Sequence, residues 1–327
     1  MIYIAPNVFL KGDKSMNKPH FIGSFVQPSL VDKWSEKDWE RHYDLLLEAG
    51  IDIMILQWIA ETPDGKFTYI GYESENTSFE YAENCRKAEG YLSNALEAAQ
   101  NKGVKVFIGL NFADEWWGGG FRNAEWVKKQ TDINNAMAKE IYDRYKTKYP
   151  TAFYGWYWVW EMYNDTNGDE VYWADMMNRS LEFFTRLDKS LPVLMSPFIS
   201  GYLDKTPEET GRMWRSFFEK CAFRPGDIFC SQDSVGASQF PIEKIEKHVA
   251  EMKKAASIKP EVKFWINVES FSGKAGEGPA PLDRVIKQME MASKYSDELI
   301  TFSYSHYYLN KLEPNEYHRQ YLEYLKD

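Results

Sequence analysis

In "VKFWINVES", residues 262–270, apolar and polar side chains alternate. Val262, Phe264, Ile266 and Val268 fall in one row, and Lys263, Trp265, Asn267 and Glu269 in the other. Successive side chains of a strand point to opposite faces. The apolar row suits a layer of covering helices. The mixed row suits the interior of a closed barrel, with Glu269 at the carboxyl end of the strand.

Working outward, strand-length apolar runs alternate with helix-period segments along the chain. "HFIGSFVQP" (20–28) precedes a helix at about 35–49, opened by Ser35 and Asp38 and closed at Gly50. "IDIMILQW" (51–58) precedes a helix near 86–102, and "VKVFIGLNF" (104–112) a long one near 124–148. "FYGWYWVWE" (153–161) and "PVLMSPFI" (192–199) lead to helices near 170–189 and from Pro207. "DIFCSQD" (227–233) leads to one from Pro241 to about 257, and "VKFWINVES" to one from Pro281 to Tyr295. "LITFSYSHY" (299–307) is the last strand, before a closing helix near 314–325. These units predict a single-domain α/β fold, a (β/α)8 TIM barrel over 20–327, with 1–19 as a prelude. An open doubly wound sheet is the alternative, and it has no need of eight units. Long strand-to-helix connections at 59–79, "ADEWWGGGF" (113–121) and "FSGKAGEGPAP" (271–281) mark one end of the barrel as the functional face.

Composition narrows the function. A formal charge of -10 argues against a nucleic-acid partner. There is no apolar run of about 18 residues, so no membrane-spanning helix is expected. The first residues lack a basic segment followed by an apolar one. Location therefore stays open between the cytoplasm and, had a leader been removed, export. Three scattered cysteines, Cys85, Cys221 and Cys230, read as ordinary thiols. Aromatic residues make up 16% of the chain, including 12 Trp and 21 Tyr. Ring faces stack on the C–H faces of pyranoses, but a large aromatic core would need the same residues.

The strand periodicity selects the acids that face the barrel mouth. In "GWYWVWE", Trp156, Trp158 and Trp160 would pack beneath helices, leaving Tyr157, Val159 and Glu161 inward. Glu161 and Glu269 then end strands four and seven and face each other across the mouth. Two carboxyls about 5 Å apart are the arrangement for retaining glycoside hydrolysis, and about 6.5–9.5 Å for inverting hydrolysis. Either acid alone could instead form a rim salt bridge. Asp233, after strand six, is a third carboxylate that would orient Glu269 or serve as an inverting base.

These residues carry a resemblance. Glu161 and Glu269 resemble the acid/base and nucleophile positions of clan A glycoside hydrolases. More closely, "GSFVQP", "LLLEAGIDIMILQW", "ALEAAQNKGVKVFIGLN", "GWYWVWE", "SPFISG", "CSQDSVG" and "WINVESF" resemble the domain-of-unknown-function family 4434. The resemblance implies a TIM barrel and a hydrolase acting on carbohydrate, with no cofactor. Where clan A usually carries Asn before its acid/base, this chain has Trp160. Asn111, Asn164 or Asn267 would then supply the contact to the sugar 2-hydroxyl. A carbohydrate-binding barrel without chemistry is the alternative from another class.

Further candidates for the cleft are Gln27, Trp58, Trp116, Trp117, Gln232, Trp265, Tyr304 and His306. The five histidines lack metal-ligand spacing, so no metal is expected. "DTNGDE" (165–170) reads as a turn with Asp169 capping the next helix, and "GGG" (118–120) as a hinge in an aromatic lid. A monomer suffices for this reading.

Overall fold

The computed structural model describes residues 18–165, 167–238, 240–273 and 278–326. Most of the expected prelude, part of "DTNGDE" and the centre of "FSGKAGEGPAP" therefore lie outside the described residues. Eight parallel strands close into a barrel in chain order: β1 (Gly23–Val26), β2 (Ile53–Leu56), β3 (Lys105–Gly109), β4 (Phe153–Trp158), β5 (Val193–Met195), β6 (Ile228–Gln232), β7 (Lys263–Glu269) and β8 (Leu299–Phe302). The ring closes where Gly23 and Ser24 of β1 pair with Ile300 and Thr301 of β8. The outer layer is α1 (Glu36–Glu48), α2 (Tyr91–Lys102), α3 (Ala124–Tyr145), α4 (Glu170–Asp188), α5 (Pro207–Lys220), α6 (Ile242–Ala256), α7 (Leu282–Ala292) and α8 (Glu316–Lys326). This is the (β/α)8 architecture, in one domain.

Local chemistry sets several element ends. Ser35 and Asp38 form a reciprocal capping box at the start of α1, as do Thr206 and Glu209 at α5. Gly103 closes α2 at φ 76°, where a Cβ would be strained. The alternating row of β7 behaves as its pattern predicts. Phe264 stacks on Phe229 at 5.8 Å, and Phe229 packs edge-on against Trp214 of α5. The tryptophans of the fourth segment are core. Trp156 stacks on Phe184 of α4 at 5.3 Å, and Trp160 meets Trp126 of α3. Tyr157 turns inward against Phe25 at 5.1 Å.

Three expectations are corrected. Residues 59–79 are not a plain loop. Ala60–Glu61 and Phe67–Ile70 join Tyr81–Lys87 and Asn111–Phe112 in a four-stranded sheet beside the barrel. The second helix accordingly starts at Tyr91 rather than near 86, because Arg86 and Lys87 pair with Tyr69 and Ile70. The Arg86 guanidinium lies 4.2 Å over the Tyr69 ring and forms an ion pair with Asp32. Tertiary pairing outweighs helical propensity there. Likewise β8 stops at Phe302, and Tyr304–Tyr307 form a helical turn. The Ser303 hydroxyl accepts from the His306 N–H, capping that turn, and donates to the Phe25 carbonyl at 2.7 Å.

Strand contact is closest at Gly109. A Cβ there would lie 2.2 Å from the Gln57 carbonyl oxygen and 2.6 Å from that of Leu56. Those groups belong to the β2–β3 ladder and its continuation, so they cannot swing aside. Gly109→Ala is expected to cost about 1–3 kcal/mol, read as a lower urea midpoint at unchanged slope.

Candidate active site

Glu269 is the last residue of β7 and is only 2% exposed. Its Oε2 accepts the Ala237 N–H at 2.6 Å, and the Gly236 N–H also donates to this carboxyl. A Cβ on Gly236 would sit 2.7 Å from the Phe271 carbonyl and 2.9 Å from Glu269 Oε2. Glycine at this position lets the 235–238 turn press its amides onto the carboxylate. Burial, then the nearby Asp233 charge, pushes the Glu269 carboxyl above the usual range, while the two amides and Arg284 oppose that shift.

Glu161 lies three residues beyond the end of β4 and is half-buried. Its Oε1 accepts from Gln232 Nε2 at 3.2 Å, and its main-chain carbonyl accepts from Trp116 Nε1 at 2.8 Å. Burial raises this carboxyl to about 7, with the Gln232 bond working against the rise. Glu161 therefore keeps a proton at pH values where an ordinary carboxyl has lost it.

A polar belt links the two strand ends. Gln232 Nε2 donates also to the Ser196 carbonyl at 2.9 Å, and Asn267 Nδ2 to the Ser196 hydroxyl at 3.4 Å. Gln232 and Asn267 are register partners on β6 and β7. The belt thus runs from Glu161 to the residue two before Glu269, along the carboxyl ends of β4 to β7. That end of such a barrel is where its catalytic groups gather.

On the opposite side of the mouth, Gln27 and His306 border a cavity of about 530 Å³ together with Pro279, Tyr307, Asn310 and Asn315. The Gln27 N–H donates to His306 Nε2 at 3.2 Å. Burial lowers His306 to about 4, so its imidazole is neutral near pH 7. Trp58 is half-buried, stacks on Phe112 at 5.4 Å, and donates to Glu61 at 3.1 Å. Trp117 is 49% exposed and lies 6.2 Å from Phe198, which stacks on Tyr163 at 5.3 Å. Trp265 and Asn267 are buried inside the barrel.

Five candidates turn away from the mouth. Asn111 leaves β3 for the side sheet, and its Nδ2 donates to Gln130 of α3 at 2.8 Å. Asn164 accepts the Ser200 N–H at 2.8 Å and lies against Thr210 of α5, tying two loops together. The Tyr304 hydroxyl meets His318 Nδ1 of α8 at 2.8 Å. Trp116, at 1% exposure, offers no ring face to a ligand. Asp233 is fully buried, its oxygens occupied by main-chain N–H groups and by Gln288, so it does not reach the cleft as a base. In each case a hydrogen bond to another loop or helix holds the side chain away from the mouth, and of the five only Asn111 is aimed there by strand parity. Sequence reasoning missed Ser196, Gln288 and Arg284. Gly236, directly after "SQDSV", was the available sign of a close backbone approach there.

Among the described residues no group of three or more His, Cys, Asp and Glu is placed to hold a metal ion. No described helix is long and apolar enough to cross a membrane.

Among solved structures, the chain is similar to a candidate alpha-L-fucosidase from Bacteroides thetaiotaomicron VPI-5482, at 21% identity and TM-score 0.77, covering 100% of this chain and 99% of that one. It is similar also to the endo-1,4-beta-D-mannanase of Thermotoga petrophila RKU-1, at 13% identity and TM-score 0.62, covering 94% and 99%. A third is the intracellular xylanase of Thermoanaerobacterium saccharolyticum JW/SL-YS485, at 13% identity and TM-score 0.52, covering 93% and 96%. At these identities the likeness is one of fold. No curated protein matches the sequence. The family model that does match, Domain of unknown function (DUF4434), spans residues 21–317, and the chain belongs to that family.

Proposed function

We propose that this barrel is a glycoside hydrolase acting on an oligo- or polysaccharide, with Glu161 as general acid/base and Glu269 as nucleophile. The observation that carries the reading is the half-buried Glu161 just beyond strand four and the buried Glu269 ending strand seven, with a polar belt running from Glu161 to Asn267, two residues before Glu269. Glu161, protonated up to about pH 7, donates its proton to the glycosidic oxygen as the bond to the anomeric carbon breaks. Ionised Glu269 attacks that carbon and forms a glycosyl ester. Glu161, now a carboxylate, takes a proton from water as the water oxygen displaces Glu269. The Gly236 and Ala237 amides favour the ionised Glu269 that attack requires. The fucosidase assignment of the Bacteroides neighbour and the mannanase and xylanase among the others support carbohydrate as the substrate class.

A screen on aryl glycosides and natural glycans, followed by proton NMR of the first anomer released, tests the reading. Hydrolysis with retained configuration is expected. No turnover of any glycan, with binding still measurable, would leave a carbohydrate-binding barrel. Inverted configuration would remove Glu269 as nucleophile.

Trp117 offers the open ring face at this end of the cleft. Trp117→Ala is expected to raise KM for oligosaccharides about 3- to 10-fold, the worth of about 0.5–1.5 kcal/mol of ring stacking. The loss should fall on KM rather than kcat, as measured by steady-state kinetics.

A further inference from the structure

Behind the Glu269 carboxyl lies a second acid that this mechanism does not use. Asp233 Oδ1 accepts the N–H of Val235 and the N–H of Glu269 itself, each at 3.2 Å. Its Oδ2 accepts from Gln288 Nε2 of α7 at 2.6 Å. The same Gln288 nitrogen donates to the Glu269 carbonyl at 3.2 Å. Arg284, one turn earlier on α7, reaches the Glu269 carbonyl at 3.4 Å and also the Phe271 carbonyl. Both main-chain groups of Glu269 are thus gripped by one cluster, in which Asp233 and Gln288 are fully buried and Arg284 is half-buried, and the cluster carries a carboxylate.

We propose that Asp233 is a positioning residue for Glu269, clamping its main chain with Gln288 and setting, through the charge it holds behind the side chain, the pH at which Glu269 ionises. A like charge at close range in a dry site disfavours ionisation of its neighbour. The Asp233 charge acts on Glu269 in that sense, and burial raises both carboxyls. Opposing it are Arg284 from α7 and the Gly236 and Ala237 amides. Glu161 stands across the Gln232 belt, and neutral His306 lies behind Phe302, the β8 partner of Glu269. The arrangement holds the nucleophile rigid while making its charged form costly.

The inference rests on the proposed nucleophile role only for its effect on catalysis, because the ionisation of Glu269 can be read directly. The full-length protein, carrying 13C at the glutamate side-chain carboxyls, is titrated by NMR, with Glu269 assigned by the signal lost in Glu269→Gln. Asp233→Asn keeps an oxygen for the two N–H groups, and Gln288 can present its own Oε1, which has no hydrogen-bond partner among the described residues, to the new amide. Removing the negative charge is expected to lower the Glu269 midpoint by about one pH unit. Gln288→Met withdraws the hydrogen bond that stabilises the Asp233 charge and is expected to move the midpoint the same way by less. A Glu269 midpoint unmoved in the folded variants overturns the proposal. Should Asp233→Asn fail to fold, Gln288→Met decides alone. If the midpoint falls and the acidic limb of kcat/KM falls with it, both readings stand. If the midpoint falls in a protein that turns over no glycan, the clamp stands and the hydrolase reading goes.

Discussion

Replacing Glu269 by Gln is expected to lower kcat on the order of 10^4-fold or more while leaving the fold intact. Removal of a covalent nucleophile produces losses of that size, because the remaining groups cannot form the intermediate. The substitution is close to isosteric. The Gln side-chain oxygen can still accept the Ala237 N–H that Oε2 accepts now. Stability should move in the opposite direction to activity. Burial and the Asp233 charge hold the Glu269 carboxyl above its ordinary range. The folded state therefore binds that proton more tightly than the unfolded chain does, and stability drops as pH rises from the ordinary glutamate range through the raised one. Glu269→Gln removes that drop. A thermal melt at pH 8 should give the variant a Tm equal to or above that of the wild type, beside a kinetic assay showing almost no turnover. A lower Tm together with retained activity would mean that Glu269 is a structural acid.

Glu161→Gln is expected to lower kcat/KM about 10^2- to 10^4-fold on substrates with poor leaving groups, the usual contribution of a positioned acid. Aryl glycosides whose phenol leaves without a proton should suffer much less in the first step. The pH dependence is the sharper test. Burial raises Glu161 to about 7 and Glu269 to about 8, so the reactive form, with Glu161 protonated and Glu269 ionised, is a minor one, and activity should rise as pH approaches 7 and fall as it passes 8. In Glu161→Gln that alkaline limb should vanish, while the acidic limb, belonging to Glu269, remains. Profiles of kcat/KM for the two proteins on one substrate check this. An alkaline limb that survives the substitution would assign the acid to another group.

Much of the fold was legible because its causes are local. The β7 row of Phe264, Ile266 and Val268 faces helices because strand parity and side-chain polarity agree there. Ser35 and Asp38 start α1 by filling each other's hydrogen bonds, whatever lies around them. The second helix was misjudged at its start because Arg86 owes its strand conformation to Tyr69 and Asp32, far away in sequence. The site was legible only in part. Parity and strand order brought Glu161 and Glu269 to the same end of the barrel. Parity also aimed Asn111 at the mouth, and there it failed, because the chain leaves the barrel at Gly109 and pairs with the side sheet instead. Trp116, a cleft candidate by its place in an aromatic loop, is buried, and its indole N–H is spent on the Glu161 carbonyl.

What the sequence determined by itself was the run of strands and helices, their caps and the two rows of each strand, since these follow from neighbours a few residues apart. Only the tertiary structure decided that Asp233 stands behind Glu269 rather than beside the substrate, that Gln232 reaches Glu161, and that Asn164 and Tyr304 serve helix packing. Burial and hydrogen-bond partners come from segments tens of residues apart, and a carboxyl's proton affinity depends on what surrounds it in space.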